Sequence, residues 1–174
     1  GDRTGHEDEI IGTKEKTDEY AYQWATVQLV GNAVPLVLDA GPVRRDESRK
    51  EIVEDLLLSA ENLVHVDNIL MDREFDSQHV LEMISQRGLS YVVPKRMRTS
   101  EKAQAKRLLR RDQDRFETDR KLHLGKNEWH ETTLIYRRKE NSEHDDHRQY
   151  SVFMTNCGSD HLPEYGYRWE IESG

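Results

Sequence analysis

A chain of 174 residues is long enough for one domain with a real hydrophobic core. No run approaches the roughly 20 apolar residues of a membrane helix, Gly1 to Glu9 is polar and acidic, and the single cysteine, Cys157, excludes an internal disulfide or a multi-cysteine zinc site. With 34% hydrophobic and 34% charged residues, and apolar residues gathered in short runs, the expectation is a soluble, intracellular protein that folds under a heavily charged surface. The formal charge of −8 has the wrong sign for nucleic-acid binding unless cations concentrate locally. They do so between Lys95 and Arg115, where Arg96, Arg98, Lys102, Lys106, Arg107, Arg110 and Arg111 also lie. Taken alone, that run reads equally well as a solvated helix or a phosphate track.

In chain order, the first 20 residues show no usable period and read as loop. Ala21 to Val30 favours a strand, Gly31-Asn32 signals a tight turn, and Ala33 to Leu38 predicts the second strand of a hairpin that ends at Gly41-Pro42. Asp46 or Ser48 can cap a helix over about residues 47–62, with Ile52, Val53, Leu56, Leu57, Ala60 and Leu63 at helical spacing. Ile69-Leu70-Met71 is a short strand stopped by Asp72. Ser77 then opens a second helix that buries Val80, Leu81 and Ile84 and closes at Gly88. Leu89 to Val93 forms another strand, halted by Pro94.

The alternation of strands and helices predicts an α/β sheet covered by helices. Beyond Pro94 a basic helix is expected to about Phe116, then strands at Thr132–Tyr136 and Tyr150–Met154 separated by the polar turn Lys139–His147. Residues 97–160 therefore read as a β-rich insertion within one domain. Pro163 can open a last helix that places Tyr165, Arg168 and Glu172 on one face.

Two segments can carry chemistry. An apolar strand that delivers Asp72 at its C-terminal end puts a carboxylate where open α/β sheets hold ligands, although an Asp there also simply begins a turn. A helix exposing Tyr165, Arg168 and Glu172 can aim a carboxylate at a metal while its guanidinium and phenol hold a phosphate. The same stripe also reads as an ordinary surface with an Arg168–Glu172 ion pair.

Together the two segments resemble insertion-sequence transposases of the DDE superfamily, in the group marked by Tyr-x2-Arg-x3-Glu-x6-Lys. Tyr165, Arg168 and Glu172 match the first three members at the required spacing, and the final Lys would fall beyond Gly174. Asp72-Arg73-Glu74-Phe75 with Ser77 is similar to the second acidic motif, commonly Asp-Arg-Gly-Phe; Glu74 stands where Gly is usual, which leaves the acid in place and puts the turn in question. Ser90 to Lys95 resembles the usual continuation. The acidic composition, with 17 Arg against 9 Lys, also resembles that of proteins from salt-loving microbes.

The resemblance implies a ribonuclease-H-like mixed sheet flanked by helices, the insertion preceding the last helix. It also implies metal-dependent DNA cleavage and strand transfer by three carboxylates holding two Mg²⁺ (or Mn²⁺) ions about 4 Å apart. Asp72 and Glu172 would be the second and third metal ligands, while Tyr165 and Arg168 would contact DNA. Transposon ends and target DNA would be the partners of a homodimeric enzyme in the prokaryotic cytoplasm, at the nucleoid when active. The first strand and its carboxylate have no counterpart apart from Asp2, which no apolar run precedes, so the first acid is expected upstream of Gly1 and this chain is expected not to cleave DNA. A non-catalytic remnant that at most binds DNA or a partner subunit is the competing reading. A repair-type or restriction-type nuclease would need an acid-x-Lys pair on Leu89–Val93, which has none.

Other signals read as structure. His144-Asp145-Asp146-His147 lies in a polar turn without the helical spacing of a zinc motif. Asp39 reads as strand-end structure, Trp129 as core or hairpin packing, and Cys157 as a buried or loop thiol.

Overall fold

The computed structural model describes residues 10–12, 20–31, 36–44, 46–158 and 163. These form an α/β protein with nine strands and three helices among the described residues, in two compact units divided between Val66 and Asp67.

The first unit begins with β1 (Ile10–Gly12) and β2 (Tyr20–Tyr22), a short antiparallel pair where the sequence reads as loop. β3 (Trp24–Leu29) and β4 (Leu36–Pro42) make the expected hairpin. Its last pair is Leu29 with Leu36, so the connection is longer than the tight turn that Gly31-Asn32 predicts, and β4 ends at Gly41-Pro42 as expected. The register shifts between Val27 and Gln28, opposite Asp39, whose carboxylate accepts from the Ala40 N–H at 2.8 Å. A hydrogen bond from Ser59, followed by the one from Ala40, holds that carboxyl below its usual range. Asp39 is thus a strand residue occupied by local bonding.

Helix α1 (Arg49–Glu61) packs against β3 and β4. It starts where Ser48 accepts from the Glu51 N–H at 3.2 Å and Glu51 accepts from the Ser48 N–H at 2.7 Å, a reciprocal cap that satisfies two otherwise orphaned donors. Ile52, Val53, Leu57 and Ala60 are its buried stripe, whereas Leu63, expected on that stripe, lies beyond the helix and is exposed.

The second unit is built on a five-stranded mixed sheet in the order β5-β6-β9-β8-β7. β5 (Asn68–Leu70) and β6 (Ser90–Pro94) are parallel, with α2 (Gln78–Gln86) as the crossover that parallel pairing requires. The remaining neighbours, β6 with β9 (Tyr150–Thr155), β9 with β8 (Glu128–Arg138) and β8 with β7 (Arg115–Gly125), are antiparallel. Tyr91, Val92 and Val93 are all fully buried, which explains why β6 reads as an unbroken apolar run: both of its faces are covered. The strands of residues 97–160 complete the sheet begun by β5 and β6.

Pairing register places Tyr91, Val93, Met154, Leu134, Tyr136 and Val152 on one face. The opposite face carries Val92 and Ile135, packed with Leu70 and Phe153. No helix among the described residues is long and apolar enough to cross a membrane.

Helices α2 and α3 (Thr99–Arg110) end in the same way. In α2 the Gly88 N–H bonds to Ser85 O at 3.0 Å and the Leu89 N–H to Ile84 O at 3.2 Å. In α3 the Asp112 N–H bonds to Leu109 O at 3.1 Å and the Gln113 N–H to Leu108 O at 3.2 Å. Both are Schellman endings, which need a left-handed residue: Gly88 at φ +74° and Asp112 at φ +50°. The helix expected to reach Phe116 therefore stops at Arg110, because Asp112 tolerates the left-handed region through its short polar side chain.

A Cβ added at Gly88 would meet nothing within 4 Å, so only backbone strain opposes it. Gly88→Ala should cost about 1 kcal/mol in urea unfolding. A change below a few tenths would mean that the turn relaxes.

Candidate active site

The C-terminal edge of the parallel pair is built by short-range rules. Ile69 and Leu70 pair with Tyr91 and Val92, and the Met71 N–H continues the ladder to Val92 O at 3.0 Å. Asp72 follows, exposed, with extended backbone. Its carboxylate accepts from the Arg73 N–H, and its carbonyl accepts from the Phe75 N–H at 3.0 Å, which closes a 3-10 turn over Arg73–Phe75. Glu74 sits in that turn without a positive φ, so no glycine is required there and the turn keeps its acid at the strand end. Ser77 is the N-cap of α2 by backbone position, without a side-chain cap bond.

A second acid, which no sequence pattern announces, stands close by. Asp76 is partly buried beside Lys95, with its Oδ2 3.9 Å from Nζ. Burial pushes its carboxyl up, against the opposing pull of the Lys95 and Arg98 charges and with a further push from Glu101. Lys95 follows β6, its N–H bonded to Val152 O at 2.8 Å. The edge thus collects Asp72, Asp76 and Lys95, an arrangement suited to a cation at the exposed acid and to proton exchange at the half-buried one. The only signal for Asp76 in the sequence is its spacing from Asp72 across a turn.

Asp72 offers a hard oxygen donor of the type Mg²⁺ accepts. Among the described residues, no group of three or more His, Cys, Asp or Glu is arranged to hold a metal ion. Glu172, Tyr165, Arg168 and Asp2 lie outside the described residues.

The basic run falls mostly on α3. The buried stripe of that helix is narrow, Glu101, Ala105 and Leu108, which leaves Lys102, Lys106, Arg107 and Arg110 exposed, with Arg111 just past its end. Arg96, Arg98 and Arg115 are exposed as well, while Lys95 is turned to Asp76.

The acids, the tryptophan and the thiol that read as structure have local partners. Asp146 caps a 3-10 turn at His147–Gln149 and grips Arg148 Nε at 2.9 and 3.1 Å; those hydrogen bonds pull its carboxyl down to about 2. Trp129 is 54% exposed near the tip of the β7–β8 hairpin, edge-on to His123 with centroids 4.8 Å apart, so it packs on the hairpin and not in the core. Cys157 Sγ lies 3.0 Å from Thr155 Oγ1.

A buried polar chain behind β6 also has no signature in the sequence. Thr132 Oγ1 donates to Thr155 O at 3.1 Å and accepts from the Tyr91 hydroxyl at 2.8 Å. The Tyr91 oxygen lies 2.7 Å from His130 Nε2, and His130 Nδ1 lies 2.5 Å from Glu82 Oε2. The Tyr91 hydroxyl thus bridges Thr132 Oγ1 and His130 Nε2, and the imidazole carries the chain on to Glu82.

No protein-family model matches the chain, and no curated protein matches it.

Proposed function

We propose that the chain is the catalytic core of a DDE-superfamily DNA transposase on a ribonuclease-H-like scaffold. The observation that carries this reading is the exposed Asp72 at the C-terminal end of β5, leading through a tight turn into the crossover to the parallel strand β6. The spacing of Tyr165, Arg168 and Glu172 supports it from sequence. In this assignment Asp72 and Glu172 are carboxylate ligands, Arg168 and Tyr165 hold DNA near the cut, and the exposed cations from Arg96 to Arg115 track phosphates. Bound Mg²⁺ or Mn²⁺ would supply Lewis-acid stabilisation of an in-line phosphoryl displacement. Transposon ends and target DNA are the partners, and the intact enzyme acts as a homodimer.

The test is a pair of titrations on the purified protein. Mn²⁺ binding followed by electron paramagnetic resonance should weaken tenfold or more in both Asp72→Asn and Glu172→Gln. Duplex DNA binding followed by fluorescence anisotropy should weaken several-fold in Arg168→Ala. A Mn²⁺ affinity unmoved by either carboxylate change would sink the assignment. DNA binding together with a Mn²⁺ affinity that neither carboxylate change moves would favour the non-catalytic remnant over the enzyme.

A further inference from the structure

A cavity of about 390 Å³ opens in the second unit between α3 and the β7–β8 hairpin. Its floor is apolar: Leu108 and Leu134 are each 1% exposed. Phe116, half-buried on β7, lies against Tyr136 with ring centroids 6.4 Å apart and planes tilted by 56°, and both rings line the space.

The rim is cationic. Arg107 and Arg111 come from successive turns at the end of α3, are exposed, and make no ion pair among the described residues. Arg120 reaches in from β7 and is steadied by Glu101, its Nη2 3.4 Å from Oε1. Three guanidiniums around one mouth concentrate positive charge locally in a protein of net charge −8.

A phenol also belongs to this space: Tyr136 is 3% exposed and lines the cavity. Burial first, then the Glu101 charge, push its ionisation up to about 12 despite Arg120, so the phenol keeps its proton and offers a donor.

We infer that this cavity binds a phosphomonoester carrying a planar base, in the class of nucleoside monophosphates. Arg107, Arg111 and Arg120 match phosphate oxygens through forked N–H groups, the base lies on Phe116 above Leu108 and Leu134, and Tyr136 donates to the ligand. The volume lies within the range of small-molecule sites. The site shares Arg107 and Arg111 with the proposed phosphate track but uses no residue of the Asp72 edge, so an Asp72 change separates the two readings.

Isothermal titration of the whole chain with adenosine 5′-monophosphate tests it, with adenosine and inorganic phosphate as partial ligands. Binding in the micromolar to low-millimolar range is expected, weaker for either partial ligand and weaker with added salt. The Arg107→Gln/Arg111→Gln variant should lose at least tenfold in affinity and Tyr136→Phe several-fold, while circular dichroism verifies that each variant remains folded. Asp72→Asn should bind as the unaltered chain does.

A 5′-phosphorylated trinucleotide distinguishes the sources. If it binds tighter than the mononucleotide with the same arginine dependence, the site takes a strand end; if it binds more weakly, the site takes a free nucleotide. No binding of the mononucleotide or the trinucleotide at millimolar concentration, or binding indifferent to the arginine pair, overturns the inference.

Discussion

Tyr91→Ala is expected to cost about 5 kcal/mol and Tyr91→Phe about 2 kcal/mol of folding free energy near neutral pH. Tyr91 is fully buried on β6, so truncation to alanine removes a large apolar contact and leaves a cavity. The phenylalanine change keeps the ring and removes only the hydroxyl that joins His130 to Thr132 at 2.7 and 2.8 Å. What remains is a buried imidazole nitrogen that has lost its hydrogen-bond partner, which is why the expected loss exceeds that of an average hydrogen bond. Urea unfolding with an unchanged slope would measure both numbers. A phenylalanine variant within about 0.5 kcal/mol of the parent would show that the buried chain from Glu82 to Thr155 contributes no net stability.

The same residue sets a limit on the alkaline side. Burial first, then the nearby Cys157 and Glu82 charges, push the ionisation of Tyr91 well above its ordinary value, against the opposing hydrogen bond to Thr132. Tyr136 is pushed up to about 12 and Tyr150 upward as well, in both cases chiefly by burial. An acid whose folded-state value is raised holds its proton in the folded chain while the unfolded chain releases it. Stability therefore falls as pH rises through the unfolded value of about 10. Thermal unfolding between about pH 9 and 11 should show this fall, shallower in Tyr91→Phe; a flat profile would contradict it.

Glu101→Ala is expected to cost about 2 to 3 kcal/mol near neutral pH. Glu101 occupies the first turn of α3 with its side chain 2% exposed. It accepts from the Arg98 N–H and the Ser100 hydroxyl, each at 2.9 Å, and pairs with Arg120. Burial opposes its charge, yet the hydrogen bonds from Ser100, Arg98 and its own backbone N–H, with the Lys95 charge, outweigh it and hold the carboxyl below its usual range.

A depressed carboxyl contributes stability that is complete above the unfolded value of about 4.3 and is lost as pH falls through the folded one. The gap between the parent and Glu101→Gln should accordingly shrink as unfolding is measured from about pH 6 down to pH 3. A gap that stays constant would mean that the carboxylate charge is not what stabilises the turn.

Elements governed by neighbours along the chain are legible in the sequence. The Ser48 cap, the helical spacing from Ile52 to Ala60, the Gly88 ending and the apolar run of β6 are all local patterns, and each has its counterpart in the fold. Strand β7 is not legible, because it is an edge strand whose outer positions carry Glu117, Asp119 and Lys121 and whose apolar alternation is thin. Charged edges deter pairing with other chains, and they also hide the strand among the cations of α3. The end of α3 is obscured for a related reason: its left-handed residue is Asp112, and nothing in an Asp announces a stop as Gly88 does.

Asp72 illustrates how far position alone can go. Its place after an apolar strand can be read directly, and the structure sets it exposed at the edge of the parallel pair. Asp76 with Lys95, Tyr91 with Thr132 and Glu82 with His130 cannot be read, since the last two pairs are separated by 41 and 48 residues.

The amino-acid sequence by itself determined the local elements around β5, α2 and β6, and with them the exposure of Asp72 at a strand end, because backbone preference and hydrophobic period act within a few residues. Tertiary structure alone decided that β9, inserted between β6 and β8, joins the segments on either side of α3 into one sheet. It also decided which buried hydroxyl, imidazole and carboxylate meet and where three arginines surround one cavity. Those outcomes depend on strand pairing between distant segments, whose register no local pattern encodes.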